Sequence, residues 1–359
     1  MPRRTGVFLF SLLLLIVVLS GCVISPRRTL GGGPTPTPTP TPSPTPTPTP
    51  APAATGKLYV TSGSQNSIVR FDNAFTVNGN VAPAANINGA ATTLSVPIYL
   101  ALDSTADRLF AVNRSTASIL VFDQVSTKTG NVAPNRTISG AATNLFVPVQ
   151  PFLDSTRNLL YVSDDVDVLV FANASTANGN AASARDIQPG FSVGAIFVDS
   201  TNDRLFVTDP NGNAVDIYDN ASTLNGSATT PSRQIKGAST GLASPVGLQI
   251  DGSGRLVVSN ATPPSITVYA AAATANGNIS PVATISGSNT GFVSPNQIAF
   301  DTTARDTLYV VDPGAGSIFV FTSFTIANGN LAPTRIINGS STTLSTTGQN
   351  SGIALDVNH

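Results

Sequence analysis

Few residues of this chain are able to do chemistry. All 19 acidic residues are aspartate, and tryptophan is absent. There is one histidine, His359, and one cysteine, Cys22. A Ser-His-Asp triad would have only the closing residue of the sequence as its base. One histidine with no cysteine beyond residue 22 is too little for a zinc site made of His and Cys ligands. Neither a phosphate-binding glycine loop nor a dinucleotide fingerprint occurs. Chemistry therefore falls to aspartates and to a few amides and hydroxyls. Asp164, Asp165 and Asp167 are the densest acidic stretch, and Asp209 ends the matching segment of the next repeat. Calcium takes six to eight oxygen ligands, so these four are the candidate metal ligands and calcium the candidate ion. Short polar side chains at strand ends also close turns by bonding nearby backbone, a reading that needs no ion.

The elements that position these residues repeat along the chain. An apolar triplet recurs as Leu58-Tyr59-Val60, Leu109-Phe110-Ala111, Leu160-Tyr161-Val162, Leu205-Phe206-Val207, Leu256-Val257-Val258 and Leu308-Tyr309-Val310, at spacings near 50. A period near 50 built of short strands predicts a β-propeller. Each unit carries four strand signals. The first is apolar and ends in aspartate, at Asp103, Asp154, Asp199, Asp251 and Asp301. The triplet is the second. The third ends in an aromatic residue, as at Phe122 or Tyr218. The fourth is short and polar, and carries an arginine at Arg136, Arg185, Arg233 and Arg335. Charges there are expected to guard an outer edge against pairing with other molecules. An Asn-Gly loop, such as Asn178-Gly179, precedes the fourth strand and suits a reversal at positive φ.

The first unit begins at its second strand. Its missing first strand appears far downstream as Ile353-Ala354-Leu355-Asp356. Pairing the two closes a ring of six four-stranded blades over 57–359, an all-β fold. In such a ring the first strands surround a channel. The position four before each aspartate varies, with Tyr99 and Gln150 in two units and Asn296-Gln297 in another. Tyr99, Gln150, Asn296 and Gln297 break the symmetry and are candidate ligand-binding residues of the channel.

The segment before the repeats reads as an address. Arg3 and Arg4 precede an apolar run to Leu19, too short to favour a spanning helix and suited to a secretory signal. Residues 35–52 alternate proline with threonine, serine or alanine, which forbids helix and sheet and favours an extended spacer. Leu19-Ser20-Gly21-Cys22 resembles the bacterial lipobox. That resemblance implies a signal peptide over 1–21, acyl chains on Cys22, and a lipidated linker over 22–56. It implies a membrane-anchored exported protein, at the outer membrane or cell surface in a Gram-negative host. Losing Arg3 and Arg4 from 18 basic residues leaves 16 against 19 acidic ones, which gives no footprint for nucleic acid.

The repeat unit, an apolar strand ending in aspartate, then Leu-Tyr-Val, then Ile-x-Val-Phe, resembles NHL and YVTN-type propeller repeats. The resemblance implies the fold, which supports both binding scaffolds and enzymes. The expected function is a binding or scaffold module for a protein, glycan or small ligand. The alternative is a metal-dependent hydrolase or lyase of lactonase type with an aspartate channel site. Gluconolactonase-like propellers hold their metal partly through a glutamate at an inner strand, and virginiamycin-type lyases use a histidine; neither position is filled here.

Overall fold

The computed structural model describes residues 55–301, 303, 305–344 and 351–359. The expected signal peptide, Cys22 and the proline-rich segment lie outside the described residues. β-Branched and aromatic residues alternate through short strands, and the fold uses both faces of that alternation. Six antiparallel sheets of four strands form the blades of a ring. The innermost strands are Ile353–Asp356, Pro97–Asp103, Pro148–Asp154, Ile196–Asp199, Pro245–Ile250 and Ile298–Asp301, for blades one to six. The recurring triplet forms the next strand out in every blade.

The described residues contain no single core. Six apolar wedges fill the spaces between neighbouring blades. In blade two, Phe110 and Val112 pack toward blade three, while Leu109 and Ala111 pack toward blade one. Period-two alternation thus serves two wedges at once, which is why the triplet is apolar on both faces.

The ring closes as the sequence implies. Ile353–Asp356 pairs antiparallel with Lys57–Ser62, in the register Lys57 to Asp356, Leu58 to Leu355, Tyr59 to Ala354 and Val60 to Ile353.

Two features expected to serve one blade in fact join two. The glycine of each Asn-Gly loop does adopt positive φ, for example 62° at Gly179. The loop, however, reaches sideways onto the outermost strand of the preceding blade. Gly179 N–H donates to Thr137 O at 2.7 Å and its carbonyl accepts from Ser139 N. Asn178 Oδ1 accepts from Thr137 N at 3.0 Å, and Asn180 Oδ1 from Ala142 N at 2.7 Å. In blade four the contact lengthens into a two-residue strand, Gly226–Ser227, parallel to Arg185–Gln188 of blade three. The outer-strand arginines are likewise fasteners, which corrects the edge-guard expectation. Arg185 donates to Ala221 O at 2.7 Å and Leu224 O at 2.9 Å in the next blade, and Arg335 to Ala74 O and Val77 O. Each guanidinium thus donates to two backbone carbonyls across a seam, one of which also accepts from the hydroxyl of Tyr161 or Tyr309.

Candidate functional site

Each innermost strand has one unpaired edge, so backbone N–H and C=O groups line the channel. A cavity of about 200 Å³ opens among the inner strands. Its polar side chains are Gln150, Gln249 and Gln297, set among groups such as Leu102, Phe152, Phe197 and Phe300. No titratable side chain lines it among the described residues. Gln297 is 7% exposed and spans three blades: its Nε2 donates to Leu100 O at 3.1 Å and its Oε1 accepts from Ile353 N at 2.8 Å. Gln150 Oε1 accepts from Ile196 N of the next blade at 3.2 Å. Gln249 Oε1 is buried with no protein partner.

Tyr99 crosses the ring. From blade two, its hydroxyl donates to Val246 O at 3.2 Å in blade five and meets Asn296 Oδ1 beside blade six. Burial pushes its phenol pKa up, which keeps the proton needed for those bonds. Glycines make room for this crossing. A side chain at Gly352 would place its Cβ 2.2 Å from Ile98 O, and one at Gly247 would sit 2.5 Å from Asn296 O. Of the four channel candidates, Gln150 and Gln297 therefore line the cavity, whereas Tyr99 and Asn296 bond each other across one end of it. All four are engaged with their own protein.

The acidic candidates lie at the rim where the second strands end. Asp164 carries both carboxylate oxygens against the loop leading into its own blade, accepting from Phe146 N at 2.6 Å and Val147 N at 2.5 Å. Asn113 and Asn260 do the same for Ser95 N and Ala243 N, and Asp312 for Val293 N and Ser294 N. Asp209 instead accepts from Gly212 N at 2.7 Å in its own turn. Asp165 is exposed at the tip of the turn, at φ 49°, and Asp167 is half-buried. Burial raises the pKa of Asp164, against its two backbone bonds and with help from Asp165 and Asp186. Burial is also the main cause of the raised pKa of Asp167. The structure does not gather Asp164, Asp165, Asp167 and Asp209 into one ligand set. Among the described residues, three metal-ligating groups have ligand atoms within 4.8 Å of one another at Asp107, Asp356 and His359. Sequence reading missed this group because it tested His and Cys for zinc and the aspartates of the other rim for calcium, and never set His359 beside Asp107, 252 residues away in the chain. The inner-strand aspartates also close turns: Asp103, Asp154 and Asp199 each accept from a backbone N–H three residues on.

The same rim carries exposed apolar groups. Phe146 is 76% exposed, Val166 46% and Val293 57%. Phe146 and Val166 bracket Asp164 in blade three. The positions matching Phe146 hold Ser95 in blade two, Ala243 in blade five and Val293 in blade six, so blade three alone among these four carries an aromatic ring there.

No protein-family model matches the chain, and no curated protein matches it. Solved structures do resemble it in fold. One is a protein of unknown function from Desulfotomaculum acetoxidans, at 10% identity and TM-score 0.53, covering 81% of this chain and 83% of that one. Another is a chain of a nidogen/laminin complex, at 15% identity and TM-score 0.56, covering 84% of this chain and 98% of that one. Likeness at such low identity extends to the propeller architecture alone.

Proposed function

We propose that this protein is an exported lipoprotein, anchored through Cys22 and lifted from the membrane by its proline-rich segment, whose propeller binds a partner protein at the rim of blade three. The observation that carries this reading is the exposed ring of Phe146, beside Val166 and the exposed carboxylate of Asp165, where blades two and five hold Ser95 and Ala243 and blade six the smaller Val293. Aromatic anchors with a polar surround are the usual energetic centre of protein interfaces. The channel supports binding rather than turnover. Gln150 and Gln297 are bonded to neighbouring strands, Gln249 Oε1 is left without a protein partner, and no titratable side chain lines the cavity among the described residues. The likeness of the repeats to NHL and YVTN types accords with display of a propeller face. Two measurements test the reading. Cys22→Ala is expected to abolish incorporation of labelled fatty acid. A photo-crosslinking residue at position 146 is expected to trap a discrete adduct in intact cells, whereas the same probe at Val282, 56% exposed on another surface, does not. Equal yields at both positions would remove the rim from consideration.

A further inference from the structure

One cluster of ligating side chains has no part in the proposed rim. Blade three is joined to blade four at the lower rim by Arg157. It bonds Asp154 of its own blade at 2.9 Å, Ser200 O of the next blade at 2.8 Å, and Asp203 of that blade at 3.5 Å. The matching seam between blades one and two has the same two carboxylates. Asp356 stands where Asp154 does. Asp107 stands where Asp203 does, and each accepts from the backbone and hydroxyl of a serine, Ser126 and Ser222 respectively. The arginine, three residues after the first aspartate, is replaced by His359. Its Nδ1 lies 2.9 Å from Asp356 Oδ2, and ligand atoms of Asp107, Asp356 and His359 all fall within 4.8 Å of one another.

A second observation points to an occupant. Tyr59 is 1% exposed, and its hydroxyl has no hydrogen-bond partner. It lies opposite Ala354 in the strand pair, so its side chain shares the blade face that carries Asp356 two residues on. Tyrosines at the equivalent place are satisfied. Tyr161 donates to Ala221 O and accepts from Arg185; Tyr309 donates to Ala74 O and accepts from Arg335. In blade one Ala85 occupies the place of those arginines. Burial raises the Tyr59 phenol pKa; the Asp356 carboxylate adds to the rise, Arg70 on the facing strand opposes it, and Asp107 adds a smaller share. An orphaned buried hydroxyl is an unmet demand for a partner.

We propose that Asp107, Asp356 and His359 form a binding site for a borderline divalent transition cation such as Zn²⁺, which clamps blade one to blade two. One imidazole nitrogen and two carboxylates are three ligands of the type such ions take, and their ligand atoms already lie within 4.8 Å of one another, close enough to converge on one ion at bonds near 2 Å. Ser126 and the Asn358 N–H hold the carboxylates in place, as outer partners do in metal sites. An oxygen-preferring ion such as Ca²⁺ would find too few oxygens.

Metal-stripped full chain in detergent is titrated with Zn²⁺ alone, by calorimetry and by melting. One equivalent is expected to bind, and a hundredfold excess over the dissociation constant to raise Tm by about 4 °C. Calcium at the same concentration is expected to leave Tm unchanged. His359→Asn should weaken zinc binding at least tenfold, as should Asp107→Asn, which lies in a different blade and leaves the closing strand intact. His359→Arg should restore the bridge made by Arg157 and melt at or above the zinc-free parent with no response to zinc. Zinc affinity within twofold of the parent in both Asn variants would overturn the proposal, and so would an equal shift with calcium.

Discussion

Asp164 shows how one carboxylate does local work at a cost that depends on pH. Its two oxygens hold the N–H groups of Phe146 and Val147, yet burial raises its pKa. A folded-state pKa above the unfolded value means that the folded protein binds the proton more tightly. The favourable contribution is complete below the unfolded carboxylate range, near pH 3.9, and is lost as pH rises through the raised value. Asp164→Asn copies the residue that blades two and five use at this place. It is expected to fold, and to flatten the fall in stability as pH rises from about 4 through the next unit or two. Denaturant melts from pH 3.5 to 7 check this; an unchanged profile would assign the dependence to another group, such as Asp167 or Asp216. The turn-closing role of these side chains was readable from sequence, because an aspartate or asparagine recurring at a strand end serves the backbone within reach. The role of His359 was not readable. The i, i+3 spacing it shares with Arg157 is visible in the sequence, but its second partner, Asp107, lies far off in the chain and is brought near only by the ring.

At the scale of elements, blades are fastened to one another at up to three radii. Amides of Gln150 and Gln297 act near the channel, joining blade three to four and blade six to one and two; apolar wedges act in the middle, and the Asn-Gly loops with the arginines at the outside. The strands themselves were legible because alternation and aspartate stops are local signals. The fasteners were not, since period and propensity describe a strand's own sheet and say nothing of what lies one blade away. Gly140 illustrates the fit: at φ 119°, it leaves only 2.5 Å between a would-be Cβ and Asn180 Oδ1, so the loop's asparagine and the neighbour's glycine are matched. Asn180→Ala removes the acceptor of the solvent-accessible Ala142 N–H. It is expected to destabilise by about 0.5–1 kcal/mol, lowering Tm by about 1–3 °C. Asn180→Asp keeps the acceptor and should recover most of the loss. A thermal melt of the two variants that shows no difference would deny the loop its fastening role.

For the whole molecule, the ring depends on a strand that arrives from the far end of the chain. Deleting residues 351–359 removes the inner strand of blade one, the cross-ring bond of Gln297 to Ile353 N, and the Asp356–His359 pair. It uncovers the edge of Lys57–Ser62 and one side of the wedge around Leu58 and Val60. An open edge beside apolar surface is a template for pairing with other chains. The deletion is expected to broaden the melt and promote aggregation; a transition as sharp as that of the intact chain would contradict it. The closure also has a bearing on time. Gly352 N donates to Thr61 Oγ1 across 291 residues, and the adjoining strand pair joins Lys57 to Asp356, so the closing strand is held by contacts of very long range. The entropy cost of closing such a loop grows only slowly with its length, but a fold that depends on contacts of this range is expected to form slowly. Among the described strands, Ile353–Asp356 is the last to be synthesised, so blade one cannot be complete before it is made. Until then the free edge of Lys57–Ser62 is open to other chains, and the seam between the first and last strands is the point at which the ring stops being a template and becomes a closed surface.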